Sequence, residues 1–363
     1  KLLQAVSGID NSNSIAKNYV CVVGDDDQSI YKFRGAEVQN ILTFSESFKG
    51  TDVIKLETNY RSTGKILKAA ELVVKNNYGR LGKTLVADRG DGKTPVLIFV
   101  PDQNAEAIFC ADLIKKAVQI GGRYNDWAIL YRTNAQSLSF EKEFLHRKIP
   151  YEVVGSMKFY EREEIKDVLA YVSLIANPRD ELSFRRIINK PTRGIGEKTL
   201  DKIILQGFDS SGNYKNLIEV CKTVAEDFSK KAKEGTKNFA EMIESLSTRF
   251  DNEKPLSEFI EEVIKKSGLD EYHKSSDEIE GTTRVLNLQE FVNSAVPYKA
   301  TLEGLTEFLD AINLDRTLEL QNDEQIEDSV TLITLHNTKG LEYNNVIING
   351  LEDGIFHRAD TLG

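Results

Sequence analysis

Apolar runs of strand length alternate with stretches of helical spacing in the first part of the chain. Apolar residues recur every three or four positions, as on the buried face of a helix, in residues 37–48, 63–75, 105–119 and 137–146. Short runs of mostly apolar residues, which indicate buried strands, occupy residues 19–23, 53–56, 96–100 and 127–131. Because strands that alternate with helices favour a parallel sheet, an α/β domain is predicted here.

Between residues 161 and 328 the pattern is almost entirely helical. Helices are predicted at residues 165–176, 183–189, 199–206, 214–233, 238–250, 257–267, 284–295 and 301–310. Breaks fall at Asn177-Pro178, at Gly194 and Gly196, at residues 207–212 and near Pro297. Strand character returns at residues 330–335 and 346–348, so a helical block is predicted to be inserted within the α/β domain.

Composition places the chain among soluble globular proteins of two to three domains. Its 363 residues are 40% hydrophobic and 29% charged, with 47 basic and 57 acidic residues and a net charge of −10. The sequence contains neither an apolar run of about 20 residues nor an export signal, so a cytoplasmic location without a membrane partner is expected. The acidic balance excludes coating of nucleic acid by bulk charge, although a local basic groove stays possible.

Three scattered cysteines and four scattered histidines predict neither a disulfide framework nor a zinc site. No metal ligand is predicted in this chain. The chain begins at Lys1 rather than at a methionine, so we expect a fragment of a longer protein.

Aromatic and cationic residues alternate after the first predicted strand. Tyr31 and Phe33 alternate with Lys32 and Arg34, just beyond the polar segment GDDDQS of residues 24–29. Aromatic faces can stack on bases, at about 1–3 kcal/mol per base, while cations bind the backbone of single-stranded nucleic acid. Spacing alone leaves open that Tyr31 and Phe33 only fill a core.

Three further segments allow a functional and a structural interpretation. Tyr60 and Arg61 follow a predicted strand, where they could contact a phosphate or form an ordinary surface turn. His336 is compatible with a ligand site or with a satisfied structural histidine. The glycines of Arg193-Gly194-Ile195-Gly196 could let backbone N–H groups reach a phosphate before a helix, or could only form a tight turn.

Six segments, in order, resemble the motifs of the UvrD/PcrA/Rep helicases, superfamily 1 enzymes that move 3′ to 5′ on DNA. They are GDDDQSIYKFRGA at residues 24–36, LETNYRS at 56–62, ILYRTNAQS at 129–137, FYEREEIKD at 159–167, PTRGIG at 191–196 and TLITLHNTKGLE at 331–342. Each is weak alone, but the common order over the whole chain makes the resemblance specific.

The resemblance implies a RecA-like parallel-sheet motor lobe of the P-loop NTPase type with a large all-helical inserted domain. Residues 1–58 would be the C-terminal remnant of a first RecA-like lobe, and residues 59–160 the first part of a second lobe. Residues 161–328 would be an inserted domain that contacts duplex DNA, and residues 329–363 would continue the second lobe.

The resemblance also implies nucleotide roles for four residues. Gln28 would link the γ-phosphate of ATP to the DNA site, and Arg61 would contact that phosphate during catalysis. An arginine there spreads charge over the oxygens of the transferring phosphoryl group. Tyr60 would stack on the adenine, and Glu342 would accept a hydrogen bond from the ribose.

Further residues would bind DNA. Single-stranded DNA would contact Tyr31, Phe33, Arg34, Arg132, Asn134, Thr334, His336 and Lys339. The duplex would contact Arg193, Gly194, Gly196, Lys198 and Thr199. The chain departs from the family at Phe33, where a tryptophan is usual, and near its end, where the usual proline is missing and Arg358 could supply a cation.

The phosphate loop G-x-x-x-x-G-K-[ST] is not found in the sequence. Gly82-Lys83-Thr84 and Gly92-Lys93-Thr94 lack the required first glycine and follow no predicted strand. The expected cofactors are ATP and Mg²⁺, with the Mg²⁺ ligands outside this chain, and the isolated chain is predicted to be inactive as an ATPase.

The function predicted for the parent protein is ATP-dependent unwinding of DNA, in repair or replication restart, at single-strand/double-strand junctions. Two alternatives stay open, a subunit of a recombination helicase–nuclease and a non-catalytic module that binds DNA junctions. A nucleotide-binding dehydrogenase is excluded because no G-x-G-x-x-G follows the first predicted strand.

Overall fold

A computed structural model of the chain describes residues 2–7, 18–29, 37–77, 80–208, 215–224, 228–275, 278–322 and 328–356. The chain divides into two compact units, Lys1–Phe99 and Val100–Gly363. The division falls inside the segment 59–160 that was predicted to begin a second lobe.

The described residues of the first unit form four short helices and two short strands. The helices are α1 (Leu2–Ser7), α2 (Gln39–Leu42), α3 (Phe44–Ser47) and α4 (Gly64–Val74), and the strands β1 (Thr58–Asn59) and β2 (Val86–Ala87) pair in parallel. The predicted helix at residues 63–75 is confirmed, and that at residues 37–48 is divided at Thr43.

Three predicted strands of this region are wrong. Residues 19–23, 53–56 and 96–100 form no strand in the described chain, and their side chains are largely exposed, for example Val23 at 90%, Ile54 at 83% and Phe99 at 88%. An apolar run indicates a tendency to be buried, but a strand also needs a neighbouring backbone to pair with. None of these runs has such a neighbour among the residues that the structure describes.

The second unit contains a four-stranded parallel sheet. Its strands are β3 (Trp127–Tyr131), β4 (Tyr151–Val154), β7 (Val330–Thr334) and β8 (Asn345–Ile348), in the order β4-β7-β3-β8. Helices α5 (Gln103–Gln119) and α6 (Ser137–His146) pack on it, with Ile114, Phe140 and Phe144 buried against Ile129 and Leu332. The predicted parallel α/β sheet is confirmed at these strands.

The helical block is confirmed as an insertion between β4 and β7, which are neighbours in the sheet. Its helices are α7 (Glu163–Ala176), α8 (Glu181–Ile187), α9 (Glu197–Gln206), α10 (Leu217–Val224), α11 (Lys230–Ser247), α12 (Leu256–Ser267), α13 (Leu269–Lys274), α14 (Glu278–Ser294) and α15 (Leu302–Asn322). Two strands that were not predicted, β5 (Asp251–Pro255) and β6 (Lys299–Ala300), pair antiparallel within it.

Local sequence explains where several helices begin and end. Asp102 caps α5 by accepting the N–H of Ala105 at 2.8 Å, and Asp180 caps α8 in the same way from Ser183. Helix α12 ends at Gly268, whose φ of +76° is the left-handed conformation that glycine adopts without strain. No helix in the described part of the chain is long and apolar enough to cross a membrane.

Candidate nucleic-acid and nucleotide site

Two neighbouring strands of the parallel sheet end side by side and lead into polar residues. β3 and β7 pair with Tyr131 opposite Thr334, and the N–H of Leu335 donates to the Tyr131 carbonyl at 2.8 Å. Beyond the strands, Nη1 of Arg132 lies 3.2 Å from Nδ1 of His336. The structure therefore brings together residues from two motifs that are far apart in the sequence.

We call this surface the β3–β7 edge and define it by Arg132, Asn134, Thr334, His336 and Lys339. Thr334 is buried at the end of its strand, Arg132, Asn134 and His336 are half-buried, and Lys339 is exposed. Ligands of open α/β sheets bind at the carboxyl ends of the strands, where this edge lies. Its two cations suit a phosphate backbone.

Gln136 shapes the turn that follows β3. Its Oε1 accepts the backbone N–H groups of Arg132 and Thr133, both at 3.0 Å. The backbone then forms a short 3₁₀ turn at Asn134–Gln136 that leads into α6. Gln136 is buried, so it fixes the turn and does not face a ligand. The sequence analysis gave it no role, although it lies within a quoted motif.

A buried arginine, Arg162, stabilises the same turn by a hydrogen bond to its backbone. Arg162 is 5% exposed, and its Nη1 donates to the Asn134 carbonyl at 3.0 Å. Its Nη2 donates to Oγ of Ser137 at 2.9 Å and lies 3.7 Å from Oε1 of the buried Glu141. The sequence gives no signal for this role because the partners of Arg162 lie in other elements.

The contacts of Arg162 continue into the helical domain. Nη1 of Arg162 also donates to Oδ1 of Asn287 on α14 at 3.2 Å, and Nδ2 of Asn287 donates to Oε1 of Glu164 on α7 at 2.6 Å. We call Arg162, Ser137, Glu141, Glu164 and Asn287 the Arg162 network. All five residues are buried, and the network joins the sheet to the inserted helices.

Arg162 carries its charge in surroundings whose net effect disfavours the charged form. Burial lowers the pKa of Arg162, while the neighbouring Glu141 carboxylate raises it, and the net direction is downward. Because an arginine ordinarily titrates far above neutral pH, Arg162 stays protonated. Its charge is therefore balanced inside the protein, chiefly by Glu141.

In the glycine-containing turn of the helical domain, the Arg193 side chain points toward the protein and bonds backbone carbonyls. Nη1 of Arg193 donates to the carbonyls of Ile187, Ile188 and Pro191 at 3.0, 3.3 and 3.2 Å. Nη2 donates to Oη of Tyr171 at 2.7 Å. The guanidinium thus satisfies carbonyls at the end of α8, which a helix terminus otherwise leaves without partners.

The rest of this turn faces outward. Asn189 accepts the N–H groups of Arg193 and Ile195 through its side chain, at 2.7 and 3.2 Å. Gly194 has a φ of +75°, and Gly196 is the N-cap of α9. Gly196 and Lys198 are exposed and Thr199 is half-buried. Among the predicted duplex contacts, Gly196 and Lys198 are therefore the most accessible to solvent.

The acidic turn of the first unit binds the protein's own cations. Asp25 pairs with Lys83 at 2.6 Å, and both carboxylate oxygens of Asp27 accept from Arg80 at 2.7 Å. Asp26 accepts the backbone N–H of Leu81 at 2.8 Å. The three carboxylates lie close enough together to hold a cation, but each already has a partner. Within the first unit these three carboxylates therefore bind Lys83, Arg80 and the backbone N–H of Leu81.

The predicted nucleotide residues occupy both units. Gln28 donates to Oδ2 of Asp25 at 2.7 Å in the acidic turn. Tyr60 and Arg61 follow β1, where Oδ1 of Asn59 accepts the Arg61 N–H at 3.0 Å, and both side chains are exposed, Tyr60 at 71%. Glu342 is exposed in the second unit, after β7. Tyr31, Phe33, Arg34 and Arg358 lie outside the described residues.

Comparison with known proteins identifies the family. Residues 54–359 match the model of the UvrD-like helicase C-terminal domain, and residues 10–49 match that of the UvrD/REP helicase N-terminal domain. The chain belongs to the UvrD-like helicase family. The resemblance drawn from six short motifs is thereby confirmed, as is the mixed α/β fold with many helices.

Relatives of this UvrD-like chain include named DNA helicases. It is 40% identical over 344 residues to DNA helicase II of Escherichia coli (strain K12), a match that covers 93% of this chain and 47% of that protein. It is 37% identical over 350 residues to the ATP-dependent DNA helicase PcrA of Bacillus subtilis (strain 168), covering 94% of this chain and 47% of the relative. The chain spans about half the length of these curated relatives.

Proposed function

We propose that this UvrD-like chain is the part of an ATP-dependent 3′–5′ DNA helicase that holds single-stranded DNA and contacts the duplex ahead. The observation that carries the proposal is the β3–β7 edge, where Arg132 and His336 meet at 3.2 Å beside the exposed Lys339. The helicase names of its relatives support the same activity. Tyr31, Phe33, Arg34 and Arg358 are proposed as further DNA contacts.

The nucleotide proposed for the parent protein is ATP. Tyr60 offers an exposed aromatic face for adenine, and Arg61 offers a cation for the γ-phosphate. Gln28 would orient water or a phosphate oxygen with a neutral amide, and Glu342 would accept from the ribose. Mg²⁺, when bound, would neutralise phosphate charge, and the family resemblance implies that its ligands lie outside this chain.

The helical domain would bind duplex DNA through the turn at residues 193–199. Within this turn, Arg193 would stabilise the backbone through its hydrogen bonds to carbonyl groups. Contacts with the duplex would be made by Gly194, Gly196, Lys198 and Thr199. Phosphate contacts of this kind position a protein on DNA without reading its sequence. The lobe boundaries proposed for the parent protein are residues 1–58, 59–160, 161–328 and 329–363.

The test is fluorescence anisotropy of a labelled duplex with a 3′ single-stranded tail, titrated with this chain at several salt concentrations. Lys198→Glu should weaken binding and reduce the salt slope by about one, because one phosphate contact is lost. Lys116→Glu is the matched control, since Lys116 is also exposed but lies on α5, near the opposite ends of the strands. Equal loss in both variants, or wild-type binding that salt does not weaken, would contradict the proposal.

A second function, junction binding without catalysis, is favoured for the isolated chain by one observation. Lys83 of the sequence Gly82-Lys83-Thr84 pairs with Asp25 and so does not serve as a phosphate-loop lysine. We therefore expect the isolated chain to bind tailed duplex without hydrolysing ATP. DNA-stimulated phosphate release by a mass-verified preparation would exclude this candidate.

A further inference from the structure

The strongest unassigned feature of the molecule is Arg162, which is bonded at once to the turn after β3 and to the inserted helices. A single nitrogen, Nη1, donates to the Asn134 carbonyl at 3.0 Å and to Oδ1 of Asn287 at 3.2 Å. The first acceptor belongs to the β3–β7 edge and the second to α14. The Arg162 guanidinium thus links the Asn134 turn directly to helix α14.

Arg162 cannot itself bind DNA. Its side chain is 5% exposed, its Nε donates to the Met157 carbonyl at 3.2 Å, and its guanidinium carbon lies 4.9 Å from the centre of the Phe159 ring. Together with the contacts to Ser137 and Glu141, these interactions leave no part of the side chain for a ligand. Its role must therefore act through the residues that it holds.

The network is rigid on both sides of Arg162. Glu141 accepts from Oγ of Ser137 at 2.5 Å and from the N–H of Phe159 at 3.0 Å, which fixes the carboxylate against the start of α6. On the other side, Glu164 fixes the Asn287 amide at 2.6 Å. A buried polar group that loses its partner is costly, so the network favours one arrangement of sheet and helices.

We propose that Arg162 is a positioning residue that sets the place of the Asn134 turn by reference to α14, so that single-strand binding at the β3–β7 edge depends on the packing of the helical domain. The proposal rests on the proposed function, because it takes the β3–β7 edge as the single-strand site. It adds a dependence of that site on a residue of another domain, Asn287.

The first arm of the test measures binding of a labelled single-stranded oligonucleotide and of a blunt duplex to the same chain. Arg162→Met and Asn287→Ala should raise the single-strand Kd about threefold to tenfold, as expected for a displaced hydrogen-bonding group, and leave the duplex Kd unchanged. Arg162→Lys keeps the charge but not the planar fork of donors, so its effect should lie between wild type and Arg162→Met.

The matched control is Arg186→Met. Arg186 pairs with the buried Asp167 at 2.7 Å within the helical domain, and none of its contacts reaches the β3–β7 edge. This variant should lower the melting temperature without changing the ratio of single-strand to duplex affinity. All binding is measured at a temperature where circular dichroism shows each variant to be folded. A ratio that Arg162→Met and Asn287→Ala leave unchanged would overturn the proposal.

The second arm does not depend on DNA. Hydrogen exchange followed by mass spectrometry should show faster exchange in a peptide spanning residues 131–138 for Asn287→Ala as well as for Arg162→Met, and not for Arg186→Met. If wild type binds neither DNA, the proposed function fails, while this arm still tests the positioning role. Unchanged exchange in that peptide for Asn287→Ala would refute the link between the two domains.

Discussion

At the scale of single residues, Asp167 on α7 is a buried carboxylate whose charge depends on its neighbours for stabilisation. It is fully buried and lies 2.7 Å from Arg186, 2.8 Å from Lys190 and 3.1 Å from His273. Burial alone would raise the pKa of its carboxyl, but hydrogen bonds from His273 and Lys190 outweigh burial, and the pKa is lowered. A lowered pKa means that the folded state binds this proton less readily than the unfolded chain.

Asp167→Asn should therefore destabilise the protein at neutral pH. The charge contributes stability above the ordinary carboxyl pKa of about 4, and this contribution is lost as pH falls through the lowered folded pKa. The substitution removes a fully buried carboxylate from the half-buried Arg186 and Lys190 and from the buried His273, which should cost about 3–5 kcal/mol, measured by urea unfolding at pH 7, and flatten the loss of stability in acid. Glu261→Gln, which breaks the exposed pair with Lys265, is the control and should cost less than about 1 kcal/mol.

Gly235 shows why a weak helix former lies in the middle of α11. A Cβ atom at this position would lie 2.2 Å from the carbonyl oxygen of Arg193, so the helix approaches the glycine-containing turn backbone to backbone. The sequence pattern indicates the turn at Gly194 and Gly196 but gives no sign that Gly235 contacts it. Only the fold reveals that the two segments touch.

Gly235→Ala should therefore destabilise the protein, although alanine is the better helix former by about 1 kcal/mol. The clash with a backbone oxygen outweighs that gain, and we expect a net loss of about 1–3 kcal/mol in the free energy of unfolding. Gly196→Ala is the comparison, because a Cβ there meets nothing within 4 Å. A stabilised Gly235→Ala chain would show that α11 and the turn are not in contact.

At the scale of elements, the strands that the sequence pattern predicted correctly all pair with another strand of the described chain. β3 is a continuous apolar run, and β7 is apolar apart from Thr331 and Thr334. The two strands pair with each other and are largely buried, as their patterns predict. Residues 53–56 have the same pattern but no partner in the described chain, so the prediction failed. β5 was missed because its sequence, DNEKP, carries no apolar signal, and its pairing with β6 depends on tertiary contacts.

The candidate site was predictable in type but not in orientation. The family resemblance assigned Arg132, Asn134 and His336 to contacts with single-stranded DNA, and the structure brings Arg132 and His336 together. The direction of a side chain is a property of the packed fold, which is why Arg193 turns inward to the carbonyls of α8. Arg162 was missed for the same reason, since its acceptors come from α6 and α14.

At the scale of the whole molecule, the three cysteines differ in exposure to solvent, and both units contain at least one of them. Cys21 is exposed in the first unit, whereas Cys110 and Cys221 are buried in the sheet and in the helical domain. Burial raises the pKa of both buried thiols to about 12, so very little reactive thiolate forms at pH 8.

A thiol reagent should therefore modify one cysteine rapidly in the native chain and all three in denaturant. Mass spectrometry of the modified peptides would identify the fast site as Cys21, and Cys21→Ser should abolish the fast phase. Rapid labelling of Cys221 in the native chain would mean that the helical domain opens readily.

The insertion of the helical domain between β4 and β7 has a consequence for the order of folding. These strands pair directly, Tyr151 with Val330, although all of α7 to α15 separates them along the chain. If that segment were still a coil, joining its two ends would be entropically costly, and contacts of such long range form slowly. A helical domain that is already compact holds its own ends close together and removes most of that cost. We therefore expect the inserted helices to become compact before β7 pairs with β4 and β3, so that the β3–β7 edge forms after them.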